Sequence, residues 1–186
     1  MTPCSFSLHA CLLSCPELWR RNQRVGDVCG LDLRRLNTLM PPAHTGGGRS
    51  VAVWQVGHTV LSDEVCLATV PLPLASDTSV DLKGGSWVKK LDEHKETDVH
   101  GIAFWINFNH HGDSTSNEEE KLVTRTGPTS STPVTFGPSP WLQYVALLHT
   151  PTKYAFNEKI GLTWEMDLRS GRLSAIDLLG CIRHLL

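Results

Sequence analysis

Long apolar runs and a strong charge of either sign are both missing from this chain of 186 residues. A membrane-spanning helix needs about 20 consecutive apolar residues, and no stretch here approaches that length. The chain carries 17 basic and 19 acidic residues, so its net charge is −2 and it has no general electrostatic attraction for nucleic acid or anionic lipid. We therefore expect a soluble protein that binds neither nucleic acid nor membranes.

Paired metal ligands are also missing, because none of the six cysteines forms a Cys-x-x-Cys pair. The cysteines are Cys4, Cys11, Cys15, Cys29, Cys66 and Cys181. Their even number leaves a disulfide framework open, but a chain of this length can bury a core without such cross-links. We expect reduced, mostly buried thiols in a cytoplasmic or nuclear protein. His9, Cys11 and Cys15 have metal-binding chemistry, yet a fourth ligand is missing, so we expect no metal site.

Short runs rich in aromatic and β-branched residues are abundant, and turn residues separate them. The predicted strands are Ser5–Ser14, Val51–Val60, Glu64–Leu74, Ser79–Leu82, Ser86–Leu91, Gly101–Phe108, Leu122–Thr126, Leu142–Leu148, Lys159–Leu168 and Arg172–Leu179. Ser79–Leu82 and Ser86–Leu91 form a weak pair around Gly84-Gly85. Ser170-Gly171 predicts a tight hairpin turn before the last strand. No alternation of strands with helices is visible. The pattern predicts a mainly β fold: a single antiparallel, barrel-like domain over residues 1–186.

A helical arm is predicted after the first strand, over residues 17–40. Glu17 to Arg24 has an acidic start and a basic end, as the helix dipole favours. Leu31 to Met40 spaces its leucines as a helix would, and Pro41-Pro42 ends it. A helical hairpin that covers one end of the barrel is one interpretation, and an arm that contacts a partner subunit is the other.

Three short motifs give the chain a family resemblance. The segment Asp98-Val-His-Gly-Ile-Ala-Phe-Trp105 is followed by Thr126-Gly-Pro128 and by Trp141-x-Gln143 before a further strand. Together they resemble the C-terminal β-barrel half of the protein arginine methyltransferases, where a "HG-x-A-x-W" strand leads to an "STGP" turn and a Thr-His-Trp loop. Gly30-Leu31-Asp32 also matches a turn in the family's dimerisation arm.

The resemblance implies a parent activity, methyl transfer from S-adenosylmethionine to protein arginine. In the family, a separate Rossmann-like half holds the cofactor and carries two catalytic glutamates. Neither its glycine-rich turn nor its two-glutamate loop is present in these residues, and Glu118-Glu-Glu120 lacks the required flanking residues. The chain by itself is therefore expected to bind no cofactor and to supply no catalytic residue.

The parts that the barrel would contribute are a substrate wall and a dimer contact. The resemblance implies that Ser139, Pro140 and Trp141 line the groove for an arginine-containing protein substrate. It implies that Leu18, Trp19, Leu31 and Leu36 belong to the arm of a homodimer, or of a heterodimer with another methyltransferase. Where the family has threonine and histidine before the loop tryptophan, this chain has Ser139 and Pro140, and proline offers no side-chain hydrogen bond.

Two other functions are consistent with these sequence features. One is a non-catalytic scaffold barrel that partners an active methyltransferase. The other is an unrelated ligand-binding β-sandwich, in which residues 17–40 would cap the sheet of their own chain.

Overall fold

A computed structural model describes residues 2–23, 25–38, 49–73, 81–89, 97–110, 122–124, 127, 142–155, 159–167 and 172–179. The helices in these ranges are α1 (Pro16–Arg21) and two 3-10 helices, Arg34–Thr38 and Val53–Gln55. The strands are β1 (Pro3–Ser14), β2 (Asp27–Val28), β3 (Leu31–Asp32), β4 (Arg49–Val51), β5 (Thr59–Val60), β6 (Val65–Pro71), β7 (Asp81–Lys89), β8 (Asp98–His110), β9 (Leu122–Thr124), β10 (Gln143–Lys153), β11 (Lys159–Asp167) and β12 (Arg172–Leu179). None of the described helices is long and apolar enough to cross a membrane.

Two facing antiparallel sheets build the domain. The larger has seven strands in the order β4-β10-β8-β1-β5, with β6 also paired to β1 and β9 to β8. The smaller has the order β12-β11-β7, and β2 and β3 form a separate hairpin. The prediction of a mainly β, antiparallel fold is confirmed. Among the described strands, however, the pairing leaves two open sheets rather than one closed ring.

The pairing of β1 with β8 forms the centre of the larger sheet. Its register runs without a shift from Ser5 opposite Asn109 to Leu13 opposite Gly101. Both strands have neighbours on both edges, and most of their residues are buried on both faces. A strand buried on both faces is apolar over much of its length, which is why these two runs stand out in the sequence.

The main core lies between the two sheets, on what we call the inner face of the larger sheet. Even-numbered residues of β1 and β8 meet residues of β7 and β11 there, because side chains alternate across a strand. The fully buried members include Leu12, Ile102, Phe104, Val88, Ile160 and Leu162. On the opposite, outer face, odd-numbered residues form a second, smaller cluster: Cys11, Leu13, Cys15, Val53, Ala103, Trp105 and Val145.

The predicted pair of short strands around Gly84-Gly85 was wrong, because β7 is one continuous strand. Gly84 lies opposite Trp164 of β11, and a Cβ at Gly84 would lie 2.8 Å from Cζ2 of that indole. The glycine makes room for a buried aromatic ring and does not mark a turn. Sequence alone cannot separate these two uses of glycine within a strand.

The predicted strand Val51–Val60 was also wrong over its middle. The chain forms β4, then the 3-10 helix Val53–Gln55, then β5. Val53 is buried in the outer cluster, and its N–H donates to Oε1 of the buried Gln143 at 3.1 Å. This tertiary hydrogen bond turns the chain where local β-propensity favours extension.

The five described cysteines are free thiols that differ in burial, and Cys4 is partly buried. Cys11 and Cys15 are buried, whereas Cys29 and Cys66 are exposed, so the expectation of mostly buried thiols holds only for part of the set. Burial, with a smaller effect of the Glu64 carboxylate, raises the pKa of Cys11 to about 12. Burial raises the pKa of Cys15 to about 11. Both thiols are therefore neutral at physiological pH.

Replacing Gly84 by alanine is expected to lower the free energy of unfolding by about 1–3 kcal/mol, because the added methyl group overpacks against the Trp164 ring. Gly85 is the matched control: its nearest atom to an added Cβ lies at 3.9 Å, so Gly85→Ala should be neutral or slightly stabilising. Urea unfolding of both variants measures the difference. Equal stabilities for the two variants would contradict the packing described for Gly84.

Thiol reactivity should separate the cysteines at pH 8. The exposed Cys29 and Cys66 should react with iodoacetamide in the native protein, while Cys11 and Cys15 stay unmodified until unfolding, since the thiolate is the reactive species. The pKa values of Cys11 and Cys15 are higher in the folded than in the unfolded chain. The stability that these two neutral thiols contribute is therefore present below about pH 9 and is lost as the pH rises towards 12. Peptide mass spectrometry identifies each site, and native-state modification of Cys11 at the rate of Cys29 would refute the assignment.

Candidate functional site

The outer face of the larger sheet carries the candidate functional residues, and it has an apolar end and a polar end. At the apolar end, Leu13 of β1 and Cys15, just after β1, pack with Val145 of β10. At the polar end, Ser7 of β1 is paired in register with Asn107 of β8. The arm that follows β1 begins at the apolar end.

The root of the arm is α1, which packs on this apolar end. Leu18 packs against the outer cluster, and Trp19 Nε1 donates to the Leu148 carbonyl oxygen at 2.8 Å. The Trp19 ring also meets the buried His100 ring edge to face, with 6.0 Å between ring centres. Asn22 closes the helix, because its side-chain amide donates to the Leu18 carbonyl oxygen at 2.7 Å. Of the predicted arm residues, Leu18 and Trp19 therefore attach the arm to its own domain.

The tip of the arm is a two-stranded hairpin followed by a 3-10 helix, where a longer helix was predicted. Cys29 and Gly30 both have positive φ, 54° and 82°, which is the conformation of a type I′ hairpin turn. The Asp32 carboxylate accepts the N–H of Arg34 at 3.0 Å, and this contact starts the 3-10 helix there. The predicted helix from Leu31 to Met40 was thus wrong at its start, and its last two residues lie outside the described part.

The tip is held together locally and presents apolar side chains to solvent. Asn37 accepts the N–H of Val25 at 2.8 Å and donates to its carbonyl oxygen at 2.7 Å, which closes the hairpin and the 3-10 helix into one unit. Three large apolar side chains remain exposed on it: Val28 at 47%, Leu31 at 65% and Leu36 at 45%. We call these three residues the tip patch. Leu31 and Leu36 were predicted from the sequence; Val28 was not.

Trp105 lies at the border between the apolar and the polar end. The His9 ring stacks on it, with centres 5.9 Å apart and planes within 18°. Gly127 lies against the same indole, and a Cβ there would come 2.5 Å from the ring, so only glycine fits. Gly127 is thereby placed against Trp105 on the outer face. The packing of Gly127 on Trp105 explains why a tryptophan and a glycine occur at these positions of the two family-like motifs.

The predicted groove residues Ser139, Pro140 and Trp141 lie outside the described residues. The next described residues are Leu142, which is exposed, and Gln143, which is buried and accepts the N–H of Val53. Gln143 directly precedes Tyr144, whose register partner on β8 is Phe104. The groove segment therefore leads into the strand next to Trp105, and its role as a substrate wall stays a prediction.

The polar end contains a contact network that sequence reasoning did not find. Nε2 of His9 lies 2.8 Å from Oγ of Ser7, and Nδ1 lies 2.7 Å from Oε1 of Glu64. The second contact has the distance of an ion pair but not the alignment of a hydrogen bond. Asn107 Nδ2 donates to the same Glu64 oxygen at 3.3 Å. The network joins β1, β8 and the residue just before β6.

A signal for half of this network was present in the sequence. Ser5, Ser7 and His9 alternate with apolar residues along β1, and Asn107 and Asn109 do so along β8. Such alternation predicts a polar sheet face. Glu64 carries no local signal, because only the pairing of β6 with β1 brings it to His9.

Metal binding has little support among the described residues. No three side chains of His, Cys, Asp or Glu in these ranges converge as metal ligands. His9 contacts Glu64 and Ser7, whereas Cys11 and Cys15 pack in the apolar cluster. The grouping suggested by sequence proximity is therefore divided between the two ends of the outer face.

Comparison with known proteins finds related sequences, although no protein-family model matches the chain. Protein arginine N-methyltransferase 1.6 of Arabidopsis thaliana is 27% identical over 174 residues, which cover 88% of this chain and 21% of that protein. Protein arginine N-methyltransferase 7 of Oryza sativa subsp. indica is 27% identical over 132 residues, covering 68% of this chain and 17% of that protein. The chain spans about a fifth of the length of the curated relatives it matches.

Solved structures show the same fold. The PRMT1 enzyme-prozyme heterotetrameric complex of Trypanosoma brucei, determined with AdoHcy, matches with a TM-score of 0.60 and 17% identity over 90% of this chain and 49% of that chain. Protein arginine methyltransferase 10 of Arabidopsis thaliana, seen in an open conformation, matches with a TM-score of 0.60 and 10% identity over 95% of this chain and 59% of that chain. In sequence and in fold, the chain is therefore similar to a mainly β, barrel-like region of protein arginine N-methyltransferases.

Proposed function

We propose that this chain serves as the barrel component of a protein arginine methyltransferase, in which it supplies a subunit contact and one wall of the substrate groove. The methyl group of S-adenosylmethionine would be transferred to a protein arginine at a site whose cofactor pocket lies in another domain or another subunit. The proposed location is the cytoplasm or the nucleus.

The tip patch is the observation that carries this proposal. Val28, Leu31 and Leu36 are exposed on a unit that is closed by its own hydrogen bonds, and a cluster of exposed apolar side chains is typical of an interaction surface. Leu18 and Trp19 hold the other end of the arm on the sheet. An arm that is anchored at its root and apolar at its tip is suited to contact a second subunit.

The partner we propose is a second copy of this chain or a catalytically complete family member. The Trypanosoma brucei relative assembles as an enzyme-prozyme heterotetramer, which supports such an association by analogy. If residues 17–40 only capped the sheet of their own chain, the tip patch would not need to be apolar. The unrelated β-sandwich is not retained, because sequence and fold both match the methyltransferase family.

A scaffold without catalysis is the second candidate function, and one observation favours it. Pro140 stands where the family resemblance expects a histidine that orders the catalytic carboxylates, and proline has no side-chain donor or acceptor. In that case the barrel would support the activity of a partner methyltransferase without contributing to catalysis itself.

Replacing Leu31 and Leu36 together by aspartate should weaken self-association at least tenfold, because both charges would be desolvated in the contact. Sedimentation equilibrium of the full chain measures the dissociation constant. Leu142→Asp is the matched control, since Leu142 is 56% exposed but lies outside the arm. A wild-type chain that stays monomeric alone, and also when mixed with a complete methyltransferase, would refute the arm as a subunit contact.

The isolated chain should neither bind S-adenosylmethionine nor methylate an arginine-containing peptide, because it contains neither the glycine-rich turn nor the two-glutamate loop of the family. Isothermal titration with the cofactor and transfer of a radiolabelled methyl group to the peptide measure the two properties. Saturable cofactor binding with methyl transfer by the chain alone would show that these residues hold a complete active site.

A further inference from the structure

Three side chains at the polar end of the outer face stand in the order that nucleophilic catalysis uses. Ser7 Oγ lies 2.8 Å from His9 Nε2, and His9 Nδ1 lies 2.7 Å from Glu64 Oε1. We propose that Ser7, His9 and Glu64 act as nucleophile, general base and orienting carboxylate, so that Ser7 is an activated serine that accepts acyl groups from small esters. This activity is independent of the arm and of methyl transfer.

Around His9, Nε2 lies at hydrogen-bond distance from Ser7 and Nδ1 lies at ion-pair distance from Glu64. A carboxylate at Nδ1 favours the tautomer with the proton on that nitrogen, which leaves the Nε2 lone pair directed at the Ser7 hydroxyl. Stacking on Trp105 restricts rotation of the imidazole. The arrangement therefore positions a base beside a hydroxyl, which is the requirement for activating serine.

An irregularity in strand pairing brings the carboxylate to this place. Between β1 and β6, Leu8 pairs with Ala68 but His9 pairs with Cys66, so β6 contributes one extra residue at this point. Such a bulge bends the strand and re-aims the side chains next to it. Glu64, just before β6, thereby comes within reach of the histidine of the neighbouring strand.

A small rotation of the Glu64 carboxylate would turn its contact with His9 Nδ1 into a hydrogen bond. The Glu64 side chain is 43% exposed, so the carboxylate can rotate into the direction of the Nδ1 proton. Hydrogen bonds of catalytic groups are often long or poorly aligned without substrate and tighten in the complex. Asn107 donates to the same carboxylate oxygen and limits how far it moves.

Ser5 lies on the same face of β1 as Ser7 and has a purely structural contact, so it serves as a comparison. Its Oγ accepts the side-chain amide of Asn109 at 3.0 Å, and this contact joins β1 to β8. Ser7 has the same environment of paired strands, but its hydroxyl meets an imidazole that itself faces a carboxylate. Ser7 is also the more buried of the two, but its imidazole partner is what sets it apart.

The acyl transfer would proceed in two balanced steps. In the first, Ser7 Oγ bonds to the ester carbonyl carbon, its proton moves to His9 Nε2, and the leaving alcohol takes that proton as the ester C–O bond breaks. Glu64 stabilises the transient imidazolium. In the second, water gives a proton to Nε2 and attacks the acyl carbon, and the serine oxygen leaves with that proton. Only 7% of Ser7 is exposed, which restricts the substrates to small acyl groups.

A fluorophosphonate probe tests the proposal on the full chain. The probe forms an Oγ–P bond at an activated serine and releases fluoride, and peptide mass spectrometry locates the label. We expect labelling at Ser7, none after Ser7→Ala, a rate at least about 100-fold lower after His9→Gln, and a smaller loss after Glu64→Gln. Ser5→Ala is the control and should label like the wild type.

Folding is checked for each variant by circular dichroism and thermal unfolding, and the unfolded wild type should not label at Ser7. Glu64 is partly exposed, so Glu64→Gln should fold. This variant therefore tests the proposal even if His9→Gln does not fold. No label at Ser7 in the folded wild type would overturn the proposal. An unchanged labelling rate at Ser7 in a folded Glu64→Gln or His9→Gln chain would overturn it as well.

Discussion

The antiparallel pairing of β1 with β8 is the interaction on which the rest of the structure depends. Nine consecutive residues of β1, from Ser5 to Leu13, have register partners on β8. Gly101 allows the third central strand to approach, because a Cβ at this position would lie 2.6 Å from the carbonyl oxygen of Ala146 on β10. With both edges of β1 and β8 occupied, their two faces are left to bury side chains.

The inner and outer faces of the larger sheet have different roles. The inner face packs on the smaller sheet and supplies the main hydrophobic core, which stabilises the domain in proportion to the apolar area buried. The outer face buries less, and it carries the arm root at one end and the contacts of His9 at the other. Residues on the outer face can therefore change function while the inner face maintains the fold.

The sequence predicted what depends on local pattern. Alternation located β1, β8, β11 and β12, and the charges of Glu17 and the arginines after it located α1. Prediction from the sequence failed where a residue distant in the chain determines the local structure. Trp164 packs against Gly84, which lies within a strand, and Gln143 accepts the N–H of Val53 where the chain turns. For the candidate site, the arm was predicted from a family motif and from the spacing of its leucines. Glu64, in contrast, reaches His9 only through a bulged strand pair.

The two proposed activities are separated along one strand. Ser7 and Cys15, at opposite ends of the outer face, are eight residues apart, which is about 27 Å in an extended strand. Side chains this far apart with no shared partners change stability and binding nearly independently. The Glu64 carboxylate affects the Cys11 thiol, whereas burial alone raises the pKa of Cys15, so the influence of its charge fades towards the arm. A subunit contact and an activated serine can therefore coexist on one sheet face without constraining each other.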